Sequence, residues 1–541
     1  MSVPAASLLS RKTMLIWIAL LGVAAALRAI GLGTDFWLDE IWSWALARSV
    51  SSWPDIFTSL HQDNNNYLNT AWMFVCGDTP HWWIYRLPAF TASLLTVGGV
   101  FALTRQLLLG RDETPPAGTA VAGDLSAPDT VVRENSVRHQ PLFMQAPLWA
   151  MGLLSICAYA AVYGSEARGY APAACAGVFC LWLIQRVVHS PDWRAACAFG
   201  VIATVGFLFH LTFLTVYLPA LLWSTGMIWH TSTTDLRQRS RSRPRVSLSG
   251  RWSIRISDIG LWLCCHLLPI GSVALLWWID LQYAQVGGGP ELNRWLTMIE
   301  TLSWPAGVMD PLEVQLAAGL LVVTMLAAGL MHLWVIDRSA VVLCGLLLVS
   351  APLILFGLAP SGLVYPRHFF VAWMAVFPLL GIGIAGSLAS RHVLRLAAMI
   401  LLVVWPIANG WEMLRFATAG RGGYGRAVQE LAAESVSQAK ARGKTSLPLR
   451  VTVISDHDFR NGMLLGFYSR FLPADVQLDY QPQPQWTVGG ADWLIVHSLE
   501  RSWTPDRELE LSVGRFELWR QYPFAGPVGW HWAVYRRISS P

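Results

Sequence analysis

The sequence predicts a polytopic α-helical membrane protein of about eleven transmembrane helices, followed by a small carboxyl-terminal α/β domain outside the cytoplasm. Three observations predict it. Of 541 residues, 54% are hydrophobic and 13% charged, about half the charged share of an ordinary soluble domain. Apolar runs repeatedly reach the ~20 residues that cross a hydrocarbon core of ~30 Å. After Trp411 the composition shifts to that of a soluble domain.

The apolar runs fall at 13–33, 87–109, 146–163, 171–188, 195–209, 212–229, 259–279, 314–335, 340–358, 368–388 and 394–411. Residues 195–230 are too long for one helix and are split at His210, whose polar ring belongs at a membrane surface. Residues 13–33 exceed a signal-peptide core, and Ala24-Ala-Ala26 lies inside the apolar run, so they read as a retained first helix.

Orientation follows from Lys and Arg in the short loops. With the amino terminus inside, the inner loops hold Arg11, Lys12, Arg111, Arg133, Arg138, Arg194, the run Arg237 to Arg255, Arg338, Arg391 and Arg395. The outer loops carry Arg48, Arg86, Arg168, Arg294 and Arg367 one at a time. This asymmetry predicts an odd number of spans and an extracytoplasmic carboxyl domain. The net charge of +5 reflects the inside bias and not nucleic-acid binding, because no aromatic residues interleave the basic ones. Seven cysteines lie in apolar spans and Cys76 stands alone in the first outer loop, so neither a disulfide framework nor a zinc spacing emerges.

Residues 1–411 form the expected transmembrane catalytic domain and 412–541 the soluble one. The first outer segment, 34–86, has two aromatic amphipathic stretches, 41–60 and 67–83, suited to helices lying in the interface plane. Segments 112–141 and 237–257 read as disordered cytoplasmic loops. In the soluble domain a helix at 426–441 precedes a strand at 449–455, a helix near 461–471, and strands at 492–498, 515–522 and 530–536. No internal repeat of the kind inverted-repeat transporters show is found.

Two clusters could carry chemistry. Phe36-Trp-Leu-Asp-Glu-Ile-Trp42 puts two carboxylates among aromatics at a membrane surface, where ionisable groups commonly mark a site; Asp39 and Glu40 could equally open a helix near its positive dipole end. Tyr163-Gly-Ser-Glu-Ala-Arg-Gly-Tyr170 sets Glu166 and Arg168 in a short outer link, as a site or as an ion pair closing a tight turn. Arg86, His210, Arg294 and Tyr365-Pro-Arg-His368 also fall outside, each alone readable as an interfacial anchor. Asp456-His457-Asp458, at a strand end, could be read as a metal or acid/base cluster, but strand-end loops are commonly polar and nothing pairs with it at metal-ligand spacing. Carboxylates suited to proton acceptance and arginines suited to a phosphate, all on one side, fit transfer from a phosphate-linked lipid.

Trp37-Leu-Asp-Glu40 after the first helix, Arg86-Leu-Pro88 entering the second, Glu166-Ala-Arg-Gly-Tyr170 after the third and Arg367 entering a late span resemble the GT-C glycosyltransferases. The resemblance is to the bacterial branch of the dolichyl-phosphate-mannose-protein mannosyltransferase superfamily, which includes the lipid A aminoarabinose transferase, and it covers roughly residues 13–390. Where many relatives carry His-Pro-Pro-Leu, this chain has Asn64-Asn-Asn-Tyr-Leu68, a departure that bears on acceptor and sugar identity more than on reaction type.

The resemblance implies a polyprenyl-phosphate sugar donor, a lipid, glycan or protein acceptor, and inversion at the anomeric carbon. It implies Asp39 as general base, with Glu40 and Glu166 as further catalytic carboxylates, and Arg86, Arg168, Arg367 and His210 around the donor phosphate. In some relatives a divalent cation is held, so Asp39 and Glu166 are the candidate ligands for magnesium or manganese; Arg168 could instead supply the positive charge. The competing reading, a lipid-linked sugar flippase, predicts charged residues at mid-membrane, whereas these spans are largely free of charge, with Arg28 near the outer end.

Overall fold

The structure is a computed structural model and describes residues 10–109, 145–242, 256–358 save 286, 288 and 290, 363–390, 393–443, and 448–538 save 489. The expected loop at 112–141 and most of 237–257 lie outside the described residues. The helices begin with α1 (Arg11–Leu32), α2 (Leu38–Ser49), α3 (Asp55–Thr58), α4 (Tyr67–Cys76), α5 (Leu87–Leu109), α6 (Ala146–Ile156), α7 (Ala158–Tyr163), α8 (Tyr170–His189) and α9 (Trp193–Phe209). They continue with α10 (Leu214–Ser242), α11 (Ile256–Ile279), α12 (Arg294–Ser303), α13 (Leu312–Ile336), α14 (Arg338–Leu358), α15 (Phe370–Ala389), α16 (Val393–Ala419), α17 (Tyr424–Ala441) and α18 (Asp458–Ser469). Among the described residues nine helices are long and apolar enough to cross a membrane, and α6 and α9 are shorter apolar helices, in keeping with about eleven spans. The chain is thus a polytopic helical membrane protein with a small mixed α/β domain at its carboxyl end.

Two compact units emerge: residues 1–28, 52–71 and 87–410, and residues 29–51, 72–86 and 411–541. Residues 411–541 fall in the second unit together with 29–51 and 72–86.

In the first unit α15 is apolar all round, as a helix enclosed by others must be, and its apolar window is wholly buried. Small residues let its neighbours in: a Cβ on Gly383 would lie 2.0 Å from Met325 O of α13. The span expected at 146–163 is broken at Cys157 (φ −65°, ψ 112°). A break inside an apolar layer must find partners for the freed backbone groups. Asn409 of α16 provides one, its Oδ1 accepting from Ala158 N–H at 2.6 Å while its Nδ2 donates to Pro305 O at 3.3 Å. Arg28 is fully buried and turns inward, donating to Ser93 Oγ at 2.6 Å and to the carbonyls of Ala24, Leu154 and Ser155.

The second unit is built on a six-stranded sheet in the order β2-β1-β3-β6-β5-β4, formed by β1 (Leu449–Ser455), β2 (Val476–Tyr480), β3 (Trp493–Ser498), β4 (Glu508–Leu511), β5 (Gly514–Tyr522) and β6 (His531–Arg537). Strand β1 runs parallel to β2 and β3, and the other pairs are antiparallel. Parallel neighbours need a crossover, and α18 supplies it between β1 and β2. Ile454, Leu494, Val513, Phe516, Ala533 and Tyr535 form one buried cluster. Trp493 and Trp532 are also buried, donating to Ser435 Oγ at 2.8 Å and Asn461 Oδ1 at 2.7 Å.

Candidate active site

The seven side chains expected at the site divide between the units: Asp39, Glu40 and Arg86 belong to the second, and Glu166, Arg168, His210 and Arg367 to the first.

In the second unit the Trp37-Leu-Asp-Glu motif starts α2, with Asp39 and Glu40 in its first turn. Glu40 Oε2 accepts from Trp37 N–H at 3.4 Å, closing the helix start. Its carboxylate also holds Arg86 in a two-pronged pair, Nε to Oε1 at 2.8 Å and Nη2 to Oε2 at 2.6 Å, with both side chains wholly buried. The remaining Arg86 donors go to the carbonyls of Gly31, Leu32, Thr34 and Asp35 at 2.7–3.0 Å. Every Arg86 nitrogen therefore has a protein acceptor. Arg86 thereby clamps the α1–α2 corner, with Glu40 as its counter-charge. Consecutive helical residues point ~100° apart, so this pairing leaves Asp39, which is 8% exposed, on another side of α2.

The tryptophans expected to lie in the interface are partly inside this unit. Trp44 meets Phe467 edge-on with centroids 5.3 Å apart, Trp42 meets Phe459 at 5.5 Å, and Phe36 packs among Trp82, Tyr85 and Phe467. Edge-to-face aromatic contacts of this length are favourable beyond the area they bury. Tyr468 donates to Phe36 O at 2.7 Å, and Asp35 accepts from Gly425 N–H at 2.8 Å. Burial pushes the Asp35 carboxyl up to about 6, against the Gly425 amide and the Arg86 charge that pull it down.

In the first unit the outer link 164–169 and the α9–α10 corner come together. A Cβ on Gly169 would fall 1.8 Å from Phe209 O, so only glycine permits this approach. Beside it Tyr170 and His210 stack at 4.0 Å, and Arg168 lies 5.1 Å above the Tyr170 ring. Glu166 is wholly buried and Arg168 nearly so. Asn64, of the triple asparagine, and Asn69 support this link: Arg168 Nη2 donates to Asn64 Oδ1 at 2.8 Å, and Asn69 Nδ2 donates to Ala167 O at 2.9 Å. Thus Asn64 and Asn69 buttress the loop that carries Glu166 and Arg168.

His210 ends α9, and its Nδ1 accepts from Thr212 N–H at 3.2 Å. A neutral imidazole whose Nδ1 accepts carries its proton on Nε2. Burial, with Arg168, His368 and Arg367 acting on it, holds His210 well below the usual histidine range. His368 repeats the arrangement, its Nδ1 accepting from Tyr365 N–H at 3.3 Å. Arg367 lies 4.8 Å above the Tyr365 ring. Two guanidinium groups and two histidines, from three loops, thus lie within electrostatic reach of one another, with the buried Glu166 carboxylate among them.

Sequence reasoning expected Glu166, Arg168, His210 and Arg367; it passed over the structural part of Asn64 and Asn69 and the hydrogen-bonding parallel of His368 to His210. Adjacency of His368 to Arg367 was the available signal for the latter. Among the described residues no group of three or more His, Cys, Asp and Glu side chains gathers as a metal ion would need.

No protein-family model and no curated protein matches this sequence. Solved structures similar to it include the crystal structure of ArnT from Cupriavidus metallidurans in the apo state, at 11% identity and TM-score 0.47, covering 89% of this chain and 92% of that one. ArnT from the same organism bound to undecaprenyl phosphate aligns at 13% identity and TM-score 0.39, over 98% of this chain and 99% of that one. An Archaeoglobus fulgidus oligosaccharyltransferase tethered to an acceptor peptide aligns at 10% identity and TM-score 0.40, over 89% of this chain and 68% of that one. Likenesses of this degree leave function to be argued from the residues themselves.

Proposed function

We propose that this chain is a GT-C-type membrane glycosyltransferase that moves a sugar from a polyprenyl-phosphate donor to a hydroxyl of a lipid, glycan or protein, with inversion, on the extracytoplasmic face of the inner membrane. The observation that supports it best is the gathering of Arg168, Arg367, His210 and His368 in the first unit. A phosphate monoester leaving group becomes a dianion as the anomeric bond breaks, and fixed cations and N–H donors stabilise that charge most where water is excluded. Neutral His210 offers an Nε2–H donor without a counter-ion of its own, while Arg168, steadied by Asn64, offers a fork of the shape a phosphate accepts.

The base is assigned to Asp39 on its motif. An acceptor hydroxyl is too weak an acid to ionise beforehand, so its oxygen attacks the anomeric carbon while its proton passes to the Asp39 carboxylate and the phosphate departs with the anomeric bonding pair. Glu166 is retained as the second carboxylate of the site, near Tyr163 and Arg168. Glu40 and Arg86 act by holding the start of α2.

Full-length protein reconstituted in liposomes and incubated with polyprenyl-phosphate sugars tests the reading, with mass spectrometry of donor and acceptor. Donor-dependent glycosylation with a configuration opposite to that of the donor is expected. Movement of intact donor across the bilayer with no bond broken would replace it with the flippase reading.

A further inference from the structure

We propose that Arg421 is a positioning residue for the transfer reaction: together with Arg86 it caps the carboxyl end of α1, fixes the corner into α2, and so makes the soluble domain a part of the machinery that aims Asp39. The inference rests on the reading of Asp39 as base.

A helix ends with carbonyls that have no partner in the helix and with the negative pole of its dipole. The last turn of α1 contains no basic residue of its own. Two guanidinium groups from far along the chain fill this need. Gly31 O accepts from Arg86 Nη1 at 2.8 Å and from Arg421 Nη1 at 3.1 Å. Arg421 Nη1 also donates to Thr34 Oγ1. Both arginines are wholly buried. Placing two cations on one carbonyl is repulsive unless carboxylates stand by; Glu40 pairs with Arg86, and the Asp35 charge acts on the same arginine.

The sheet in turn fixes Arg421. It lies in Gly420-Arg-Gly-Gly-Tyr424, between α16 and α17. Gly420 O accepts from Ala525 N–H at 2.8 Å, and Arg421 O accepts from Tyr424 Oη at 2.8 Å. Gly529, at φ +107°, comes so near that a Cβ there would lie 1.9 Å from Arg421 O. The backbone before β6 thus grips the backbone of Arg421, whose guanidinium grips the end of α1, seven residues before Asp39 begins to matter at the start of α2. Arg421 donates to Gly31 O and Thr34 Oγ1 at the turn that leads into α2, so the proposed effect on transfer runs through the placement of α2.

The test uses full-length protein in nanodiscs, with Arg421→Met, Arg421→Lys and, as surface control, Arg426→Met. Binding of undecaprenyl phosphate, melting temperature, hydrogen exchange of residues 36–43 and turnover are measured. Arg421→Met is expected to bind undecaprenyl phosphate within about twofold of wild type, to exchange about tenfold faster at 36–43, and to lose about 10–100-fold in kcat at unchanged donor KM. Lysine, which can still donate to Gly31 O, is expected to restore part of both. Should the methionine variant fail to fold, the lysine variant carries the same comparison at smaller amplitude. Exchange and kcat indistinguishable from those of Arg426→Met would overturn the proposal, as would a loss confined to undecaprenyl phosphate binding. If the wild type transfers no sugar from any polyprenyl-phosphate donor, the functional reading fails while the exchange measurement still decides whether Arg421 holds α2.

Discussion

Glu40 and Arg86, forty-six positions apart, meet as a wholly buried two-pronged ion pair at 2.6 and 2.8 Å. Removing one partner of such a pair strands the other charge, at a typical cost of ~3–5 kcal/mol. Arg86→Met and Glu40→Met should therefore each lower the melting temperature sharply, and the double variant should melt above either single one. Binding of undecaprenyl phosphate by folded Arg86→Met, measured below its melting transition, should stay near the wild-type level. A variant that melts normally and loses lipid binding would return Arg86 to the phosphate.

Asp35 gives stability a pH dependence whose sign can be worked out. Burial, the largest influence, raises its folded-state value from 3.8 to about 6. Between these values the folded protein holds a proton that the unfolded chain has released. The stability contributed by Asp35 is thus complete below pH ~4 and is lost as pH rises through about 6, a change of ~1–3 kcal/mol. Asp35→Asn, whose carbonyl can still accept from Gly425 N–H, should flatten that part of the curve. Thermal melts from pH 4.5 to 7.5 check it; equal slopes for variant and wild type would remove Asp35 as the cause.

The transmembrane part was legible in the sequence because a long apolar run has one physical solution in a bilayer. His210 marked the α9–α10 corner because a polar ring interrupts such a run. The break at Cys157 gave no local sign, since its partner, Asn409, lies about 250 residues away. Strands β2 and β4 were missed because each, although it alternates polar and apolar residues, is only five or four residues long, too short for the pattern to stand out. At the candidate site, residue types were legible and their partners were not. Nothing near Glu40 announces that Arg86 will occupy it. The glycines around Arg421 were the readable clue to a close backbone approach there, with Gly420 at φ +61° and Gly422 at φ +127°.

Arg168 should be needed for donor use and dispensable for folding. Its guanidinium is held by Asn64 and lies over Tyr170, so a lysine keeps the charge but loses the fork. Donor KM should rise about tenfold in Arg168→Lys and further in Arg168→Ala, a difference of ~1.4 kcal/mol per tenfold. Asn64→Ala should give a milder form of the same defect, through a less fixed Arg168. Unchanged kinetics in Arg168→Ala would take the residue out of the site.

Asp39→Asn should nearly abolish transfer while the protein stays folded and binds its lipid. Asparagine has almost the shape of aspartate but cannot take a proton. A general base contributes ~10²–10⁴-fold to a rate, roughly 3–5 kcal/mol of barrier. If Asp39 served only as a helix-opening charge, its loss would cost ~0.3–1 kcal/mol of stability and leave turnover intact. Glu40 already closes the start of α2 through Trp37 N–H and Arg86, so the helix does not depend on Asp39 for that purpose. The two roles therefore separate: the base reading predicts a collapse of kcat at normal melting temperature, and the structural reading predicts a small shift in melting at normal kcat. Turnover of a polyprenyl-phosphate sugar, binding of undecaprenyl phosphate and thermal melting, measured on one preparation, distinguish them. A variant that melts normally and turns over within a few-fold of wild type would pass the role of base to Glu166, which is also buried.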